Sequence, residues 1–208
     1  MASNPWPLIR AERGALIADL ASLTDAQWST PSLCAGWTVR DVLAHMTATA
    51  KMTTPGFLRK FSASGFRFNT MAAAGVRDEL GASSADTLAR FKSQLDATTH
   101  PPGPAADVMS GDMVIHSQDI RVPLGIPHTF QPEMLTQVAA FTVRGNVLLG
   151  GKRRATGLKL VASDVDWTHG DGPTVRGPLA SIILAVTGRK AGLADLAGDG
   201  VATLSGRI

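Results

Sequence analysis

The sequence predicts an α+β protein, with a helical domain over residues 1–150 followed by a small α+β domain over residues 151–208. Three observations carry this. Apolar residues recur at helical spacing through most of the first 150 positions. A double glycine, Gly150-Gly151, then marks a change of texture. Beyond it, short alternating segments lie between Gly/Asp-rich turns, the pattern expected of strands.

In chain order, Leu8, Ile9, Leu16, Ile17 and Leu20 predict an amphipathic helix over residues 5–22. Thr24-Asp25 suits the cap of a short turn before Trp28, and Pro31 to Gly36 reads as a loop. Thr38 followed by Asp41 is a capping-box pattern. It opens a helix with Val39, Val42, Leu43 and Met46 on its apolar side, Trp37 as a staple onto Val42, and His45 in its second turn. Residues 52–82 contain Pro55, Gly56, Gly65, Gly75 and Gly81 and are expected as helical pieces joined by turns. Leu88, Phe91 and Leu95 predict a helix within residues 84–97, ended by Pro101-Pro102-Gly103-Pro104. The next helix should run from Ala105 to Arg121 and stop before Pro123, and a last long one from Gln131 to Leu149, with Pro132 in its first turn. In the second domain Leu158–Ala162, Asp166–Thr168, Thr174–Arg176 and Val201–Leu204 read as strands, interrupted by a helix over Pro178–Val186.

Composition narrows the function classes. At 208 residues, the chain is long enough to bury roughly 70% of its unfolded surface. No apolar run approaches the ~20 residues needed to span a bilayer, and the N-terminus lacks the basic and apolar regions of a secretory signal, so a cytoplasmic protein with no membrane partner is expected. A single cysteine, Cys34, excludes an intramolecular disulfide and a thiolate-rich zinc cluster. A metal here would use imidazole and carboxylate. Residues 1–150 hold 12 Lys/Arg against 12 Asp/Glu, while residues 151–208 hold 8 against 5. That excess begins at Lys152-Arg153-Arg154, read as a solvated linker; no longer basic stripe or aromatic platform accompanies it, so nucleic acid is not the expected partner.

The candidate chemistry centres on Asp112 and His116, four residues apart on one helix face, with His45 on another helix. Such a pair is either a surface hydrogen bond or two ligands of a metal centre, and a lone histidine on an apolar face is commonly a satisfied core residue. Met109, Met113, Val114 and Ile115 favour the metal reading, because an ionised carboxylate on so apolar a helix is costly unless paired or coordinated. Asp119 and Arg121 either orient His116 or form a salt-bridged helix end. Cys34 is expected as a small apolar filler beneath Trp37, since His45 is too far along the chain to activate it. His100, His128 and His169 fall in loops and are expected to be solvated.

Trp28-x-x-Pro31-Ser32-x-Cys34-x-Gly36-Trp37-Thr38-Val39-Arg40-Asp41-Val42-Leu43-Ala44-His45 resembles the N-terminal motif of the mycothiol-dependent maleylpyruvate isomerase family, a branch of the DinB-like metal-binding helical bundles. The run from Val114 to Gly125 is similar to that family's second motif. Gly177-Pro178-Leu179-Ala180, Thr187-Gly188-Arg189 and Leu196-Ala197-Gly198-Asp199-Gly200 resemble its C-terminal α/β domain, related to sterol-carrier-like folds. The resemblance implies a DinB-like four-helix bundle holding a divalent metal, usually zinc, on His45, Asp112 and His116. The family has glutamate where this chain has Asp112, a reach shorter by about 1.5 Å, one carbon–carbon bond.

The implied activity is thiol chemistry in which mycothiol is the cosubstrate and a small electrophile the substrate, giving an isomerase or a thiol transferase. Arg189 is the candidate for holding a substrate carboxylate, its competing role being an ordinary cation at a helix C-terminus. The alternative is a non-catalytic metal- and small-molecule-binding DinB-like protein, kept open by Asp112 and by the absence of any tyrosine.

Overall fold

The computed structural model describes residues 4–146 and 149–208. The chain divides into two compact units, one ending at His128 and the other spanning Thr129–Ile208. The first contains α1 (Trp6–Leu20), α2 (Asp25–Trp28), α3 (Val39–Ala50), α4 (Thr54–Ala63), α5 (Phe68–Glu79), α6 (Ser84–Lys92) and α7 (Ala105–Leu124). The second contains α8 (Pro132–Arg144), α9 (Gly151–Ala155), β1 (Lys159–Ala162), β2 (Thr168–His169), β3 (Thr174–Gly177), α10 (Leu179–Val186), a 3-10 helix (Lys190–Asp195) and α11 (Val201–Ser205). The fold class is α+β, as the sequence predicts.

In the first unit α1 packs on α6 and α7, and α3 packs on the same two helices, so α1, α6, α3 and α7 close a ring of four. Leu16, Leu43, Phe91 and Met113, one from each helix, are at most 1% exposed. Helix α3 begins where Thr38 Oγ1 accepts the Asp41 N–H (3.2 Å) and Asp41 Oδ2 accepts the Thr38 N–H (2.9 Å), the predicted capping box. α5 lies against the outside of α3. Their approach depends on Gly75, where a Cβ would stand 3.1 Å from that of Ala48. Two arginines, Arg13 buried and Arg40 half-buried, tie the helix ends together. Arg40 donates to the Leu80 and Gly81 carbonyls beyond α5, both at 3.0 Å, and Arg13 donates to those of Gln94 and Ala97 beyond α6, both at 2.7 Å.

Helix α7 departs from expectation in its length. It continues through Pro123 to Leu124 and ends at Gly125, whose φ of 66° is the left-handed cap. Pro123 removes one intrahelical bond, because it has no N–H to offer the carbonyl of Asp119. That carbonyl instead accepts the Leu33 N–H at 3.2 Å. The proline is tolerated because the loop carrying Cys34 takes up the acceptor it frees.

The second unit begins at Thr129, whereas the sequence reading places the boundary near residue 150. The reason is α8, which packs on α9 and α10 through a face that buries Met134, Leu135, Val138, Ala139, Thr142 and Val143. The described part of α8 ends at Arg144; its expected extension to Leu149 crosses residues 147–148, which lie outside the described residues. The sheet order is β2-β1-β3, with β1/β2 antiparallel and β1/β3 parallel. Every residue of α10 except Ala180 is buried, and the helix packs on both β1 and β3.

Two further expectations are corrected in this unit. Val201–Leu204 is helical, not a strand: Leu204 is fully buried three residues after Val201, and Leu204 N–H bonds to Gly200 O at 3.0 Å. The extended partner of β3 is Ala197, which exchanges two bonds of 2.8 Å with Arg176. The basic triplet is not a linker but most of α9. No described helix is long and apolar enough to cross a membrane.

Candidate metal centre

Packing of α3 against α7 brings His45 beside Asp112 and His116. One donor atom from each of the three lies within 4.8 Å of the others. The two imidazoles meet edge to face, with ring centroids 4.8 Å apart at 81°. Trp37, expected against Val42, has its ring 5.1 Å from that of His45. The loop before α3 thus covers the centre as well as capping the helix.

Asp119 sets the orientation of His116. It is fully buried, and its Oδ2 lies 2.9 Å from His116 Nδ1, one helical turn away. Cys34 donates its S–H to the same oxygen at 3.0 Å and stands 3.7 Å from His116 Nδ1. With Nδ1–H donated to Asp119, Nε2 is the nitrogen left to bind a ligand.

The electrostatics follow from this placement. Burial, then the neighbouring His116 charge, drives the His45 imidazole down to about 3, so it is neutral with its lone pair available. Burial alone would lower His116 too. Its hydrogen bonds to Asp119 and Cys34, with the charges of Asp112 and Asp119, outweigh that and push it up to about 10. Burial lifts the Asp112 carboxyl to about 6, against the opposing pull of His116, Arg13 and a Thr49 hydroxyl bond. Without a cation the three groups therefore hold a proton that a metal would displace.

The donor set fits a divalent cation. Bonds of about 2.0–2.2 Å in a tetrahedral set place ligand atoms about 3.3–3.6 Å from one another. Donors already inside 4.8 Å need to close by at most about 1.5 Å, within the reach of side-chain rotation. Two imidazoles and one carboxylate are hard-to-borderline ligands suited to zinc-type ions. A second cluster, Cys34, His116 and Asp119, is as compact. Its members are already hydrogen-bonded to one another, so it serves the first as a support.

Several expectations change here. Cys34 is no apolar filler, because its partners come from α7, 82 and 85 residues along the chain, and not from α3. Of the two residues proposed to orient His116, Asp119 touches it. Arg121 instead pairs with Asp19 of α1, Nη2 to Oδ2 at 2.7 Å. His128 is not solvated: its Nε2 lies 2.7 Å from Oε2 of the buried Glu12. Arg189 belongs to the second unit, where its guanidinium donates to the Thr187 carbonyl at 3.0 Å. Sequence spacing signals Asp119 as the third residue after His116; nothing local signals Cys34.

A helical bundle carrying two histidines and a carboxylate on facing helices defines a candidate metal-binding protein of the bundle-core type. Residues 9–121, more than half of the chain, match the family described as Mycothiol maleylpyruvate isomerase N-terminal domain, and the chain belongs to that family. Two solved structures share the fold. One, a histidine-to-alanine mutant of the mycothiol-dependent maleylpyruvate isomerase, has a TM-score of 0.57 at 16% identity. The other, the mycothiol-dependent maleylpyruvate isomerase, has a TM-score of 0.55 at 18% identity. Each comparison covers 94% of this chain and 91% of the other. No curated protein sequence matches.

Proposed function

We propose that this chain is a divalent-metal-dependent, mycothiol-using isomerase or thiol transferase acting on a small electrophile. The observation that carries the reading is the convergence of His45, Asp112 and His116 within 4.8 Å in a chain of the maleylpyruvate isomerase family. The cosubstrate comes from the two structural neighbours, both mycothiol-dependent maleylpyruvate isomerases. Zinc is the ion the donor set suits.

When bound, the cation supplies Lewis acidity that keeps a thiol sulfur in its thiolate form near neutral pH. The chain's own residues prepare for this. His45 stays uncharged, held so by burial. Asp119 keeps the proton on His116 Nδ1 and so presents Nε2. Asp112 contributes one negative charge, leaving the set one positive charge in excess with a divalent ion and favouring an anionic further ligand. Trp37 shields His45 from water.

For an isomerisation, the sulfur adds to one carbon of a conjugated cis double bond, the resulting single bond rotates, and expulsion of the same thiolate restores the double bond as trans. Sulfur, proton and electron pair all return, so no oxidant or reductant is required. For a transfer, the sulfur stays attached and the carbanion left by its addition takes up the proton that the thiol released, so that step also balances without an oxidant or reductant.

Metal analysis of the purified protein tests the centre. About one divalent ion per chain should be present and should be lost in both His45→Ala and His116→Ala; full retention by either overturns the assignment. Mycothiol consumption with maleylpyruvate and a panel of electrophiles then tests turnover. A metal-loaded protein with no thiol-dependent turnover on any of them would be a binder instead.

A further inference from the structure

We propose that the second unit carries a binding site for a small polyanion of the diphosphate type, in the cleft between α9 and the chain that follows α11. The cleft has a volume of about 650 Å³ and is lined by Asn146, Lys152, Arg153, Thr156, Gly206 and Arg207. That volume is within the range of small-molecule sites, about 300–1,000 Å³. Three of the six lining residues are cationic, and none is acidic.

The charge is uncompensated. Among the described residues no carboxylate oxygen lies within 4.0 Å of a side-chain nitrogen of Lys152, Arg153, Arg154 or Arg207. In the first unit five of the eleven cations, Arg10, Lys51, Lys60, Arg90 and Arg121, have carboxylate partners; here four cations gathered at one cleft have none among the described residues. Like charges gathered without counter-charge cost stability, and such gatherings recur where an anion supplies the balance.

The cleft is also held in shape. Arg207 Nη1 donates to the carbonyls of Arg154 and Thr156, both at 2.7 Å, and Arg154 Nε returns a bond to Arg207 O at 3.3 Å. Arg154 Nη1 donates to Leu149 O at 2.5 Å and to Val186 O at 3.2 Å. A Cβ on Gly188 would stand 2.9 Å from Arg154 Nη2. Structure thus accounts for Arg154, but it gives no role to Lys152 and Arg153, which are exposed. Asn146 Oδ1 accepts the Arg153 N–H at 2.7 Å, which leaves the Asn146 amide nitrogen as a donor. Burial and the charges of Arg153 and Arg189 hold the Arg154 guanidinium below its usual range, in keeping with a cationic field.

The ligand class follows from the donors. Guanidinium forks, an ammonium and an amide N–H match the oxygens of linked phosphates, each taking two or three charge-assisted bonds. Lys152 and Arg153 are adjacent in sequence, and Arg207 approaches from the chain end, so two neighbouring anionic groups satisfy the set better than one.

Calorimetric titration of the full chain with inorganic pyrophosphate at low salt tests this, with orthophosphate, citrate and a single-stranded oligonucleotide series as further arms. Pyrophosphate should bind saturably and more tightly than orthophosphate. The double variant Lys152→Gln/Arg153→Gln should weaken it at least tenfold with a melting temperature no lower than that of the wild type, while Arg176→Gln, an exposed change on β3, should leave binding unaltered. No saturable pyrophosphate binding, or an equal loss in Arg176→Gln, would overturn the proposal. Tighter binding of citrate would refute the phosphate assignment, and oligonucleotide affinity rising with length would make the surface a nucleic-acid contact instead.

Discussion

Replacing Asp119 with asparagine probes the proposed centre without touching any of its three donors. The side chain keeps its volume, so no cavity opens in a position that is fully buried. Its Oδ2 currently accepts both His116 Nδ1–H at 2.9 Å and the Cys34 S–H at 3.0 Å. An amide oxygen can still accept from His116, but the charge that strengthens the bond is gone, and the NH2 group cannot accept from sulfur. Loss of such a supporting carboxylate costs about 10- to 100-fold in metal affinity, roughly 1.4–2.7 kcal/mol. Cys34→Ser, which keeps a donor, should cost less than about 1 kcal/mol. Zinc competition against a chromophoric chelator reads both. Wild-type zinc affinity in Asp119→Asn, under conditions where His45→Ala loses the ion, would refute the role given to Asp119. Metal-free protein gives an independent check. The raised pKa of His116, about 10, means its pairing stabilises the fold fully below the unfolded value of 6.5 and is lost as pH rises through about 10. The stability gap between wild type and Asp119→Asn should therefore be open at neutral pH and close above that value.

His45 gives the opposite pH dependence, since its pKa is lowered to about 3 and the unfolded chain takes up a proton that the folded one refuses. Stability of the metal-free protein should fall as pH drops from 6.5 toward 3, and His45→Gln should flatten that part of a urea-midpoint profile; an unchanged slope would contradict it. Pro123→Ala supplies an N–H to the Asp119 carbonyl and displaces that of Leu33, so amide exchange at Leu33 should accelerate at least tenfold, as read by NMR. Gly192→Ala would place a Cβ 2.5 Å from Ser181 O and 2.8 Å from Ala185 N, both rigid parts of α10. Denaturant unfolding should show a loss of at least about 2 kcal/mol, and a neutral result would argue against so close an approach.

What the sequence conveyed divides along physical lines. Local signals held: the Thr38/Asp41 capping box, the helix over Pro178–Val186 and the strands at Lys159–Ala162 and Thr174–Gly177 all depend on residues within a few positions of one another, while the strand expected over Asp166–Thr168 lies instead at Thr168–His169. So did the gathering of Asp112 with His116, fixed by the helical repeat. Contacts across the chain were harder to read. Cys34 meets Asp119 only because the 31–38 loop hangs on the carbonyl that Pro123 frees, and a rule treating proline as a helix stop conceals that link. Val201–Leu204 alternates over four residues, too few to separate a strand from one helical turn. His128 found Glu12, 116 residues distant, a pairing no window of local sequence contains.

The membership of α8 in the second unit bears on how this protein can be taken apart. A fragment cut at the double glycine would look natural on sequence grounds. It would nonetheless strip from the small unit the helix whose Met134, Leu135, Val138, Ala139 and Val143 cover the apolar side of α10. The helical fragment would inherit those same side chains without the α9 and α10 surfaces they pack on. Recombinant halves, domain fusions and split reporters built on this chain should therefore be joined or severed at His128-Thr129, where each piece keeps its own interior.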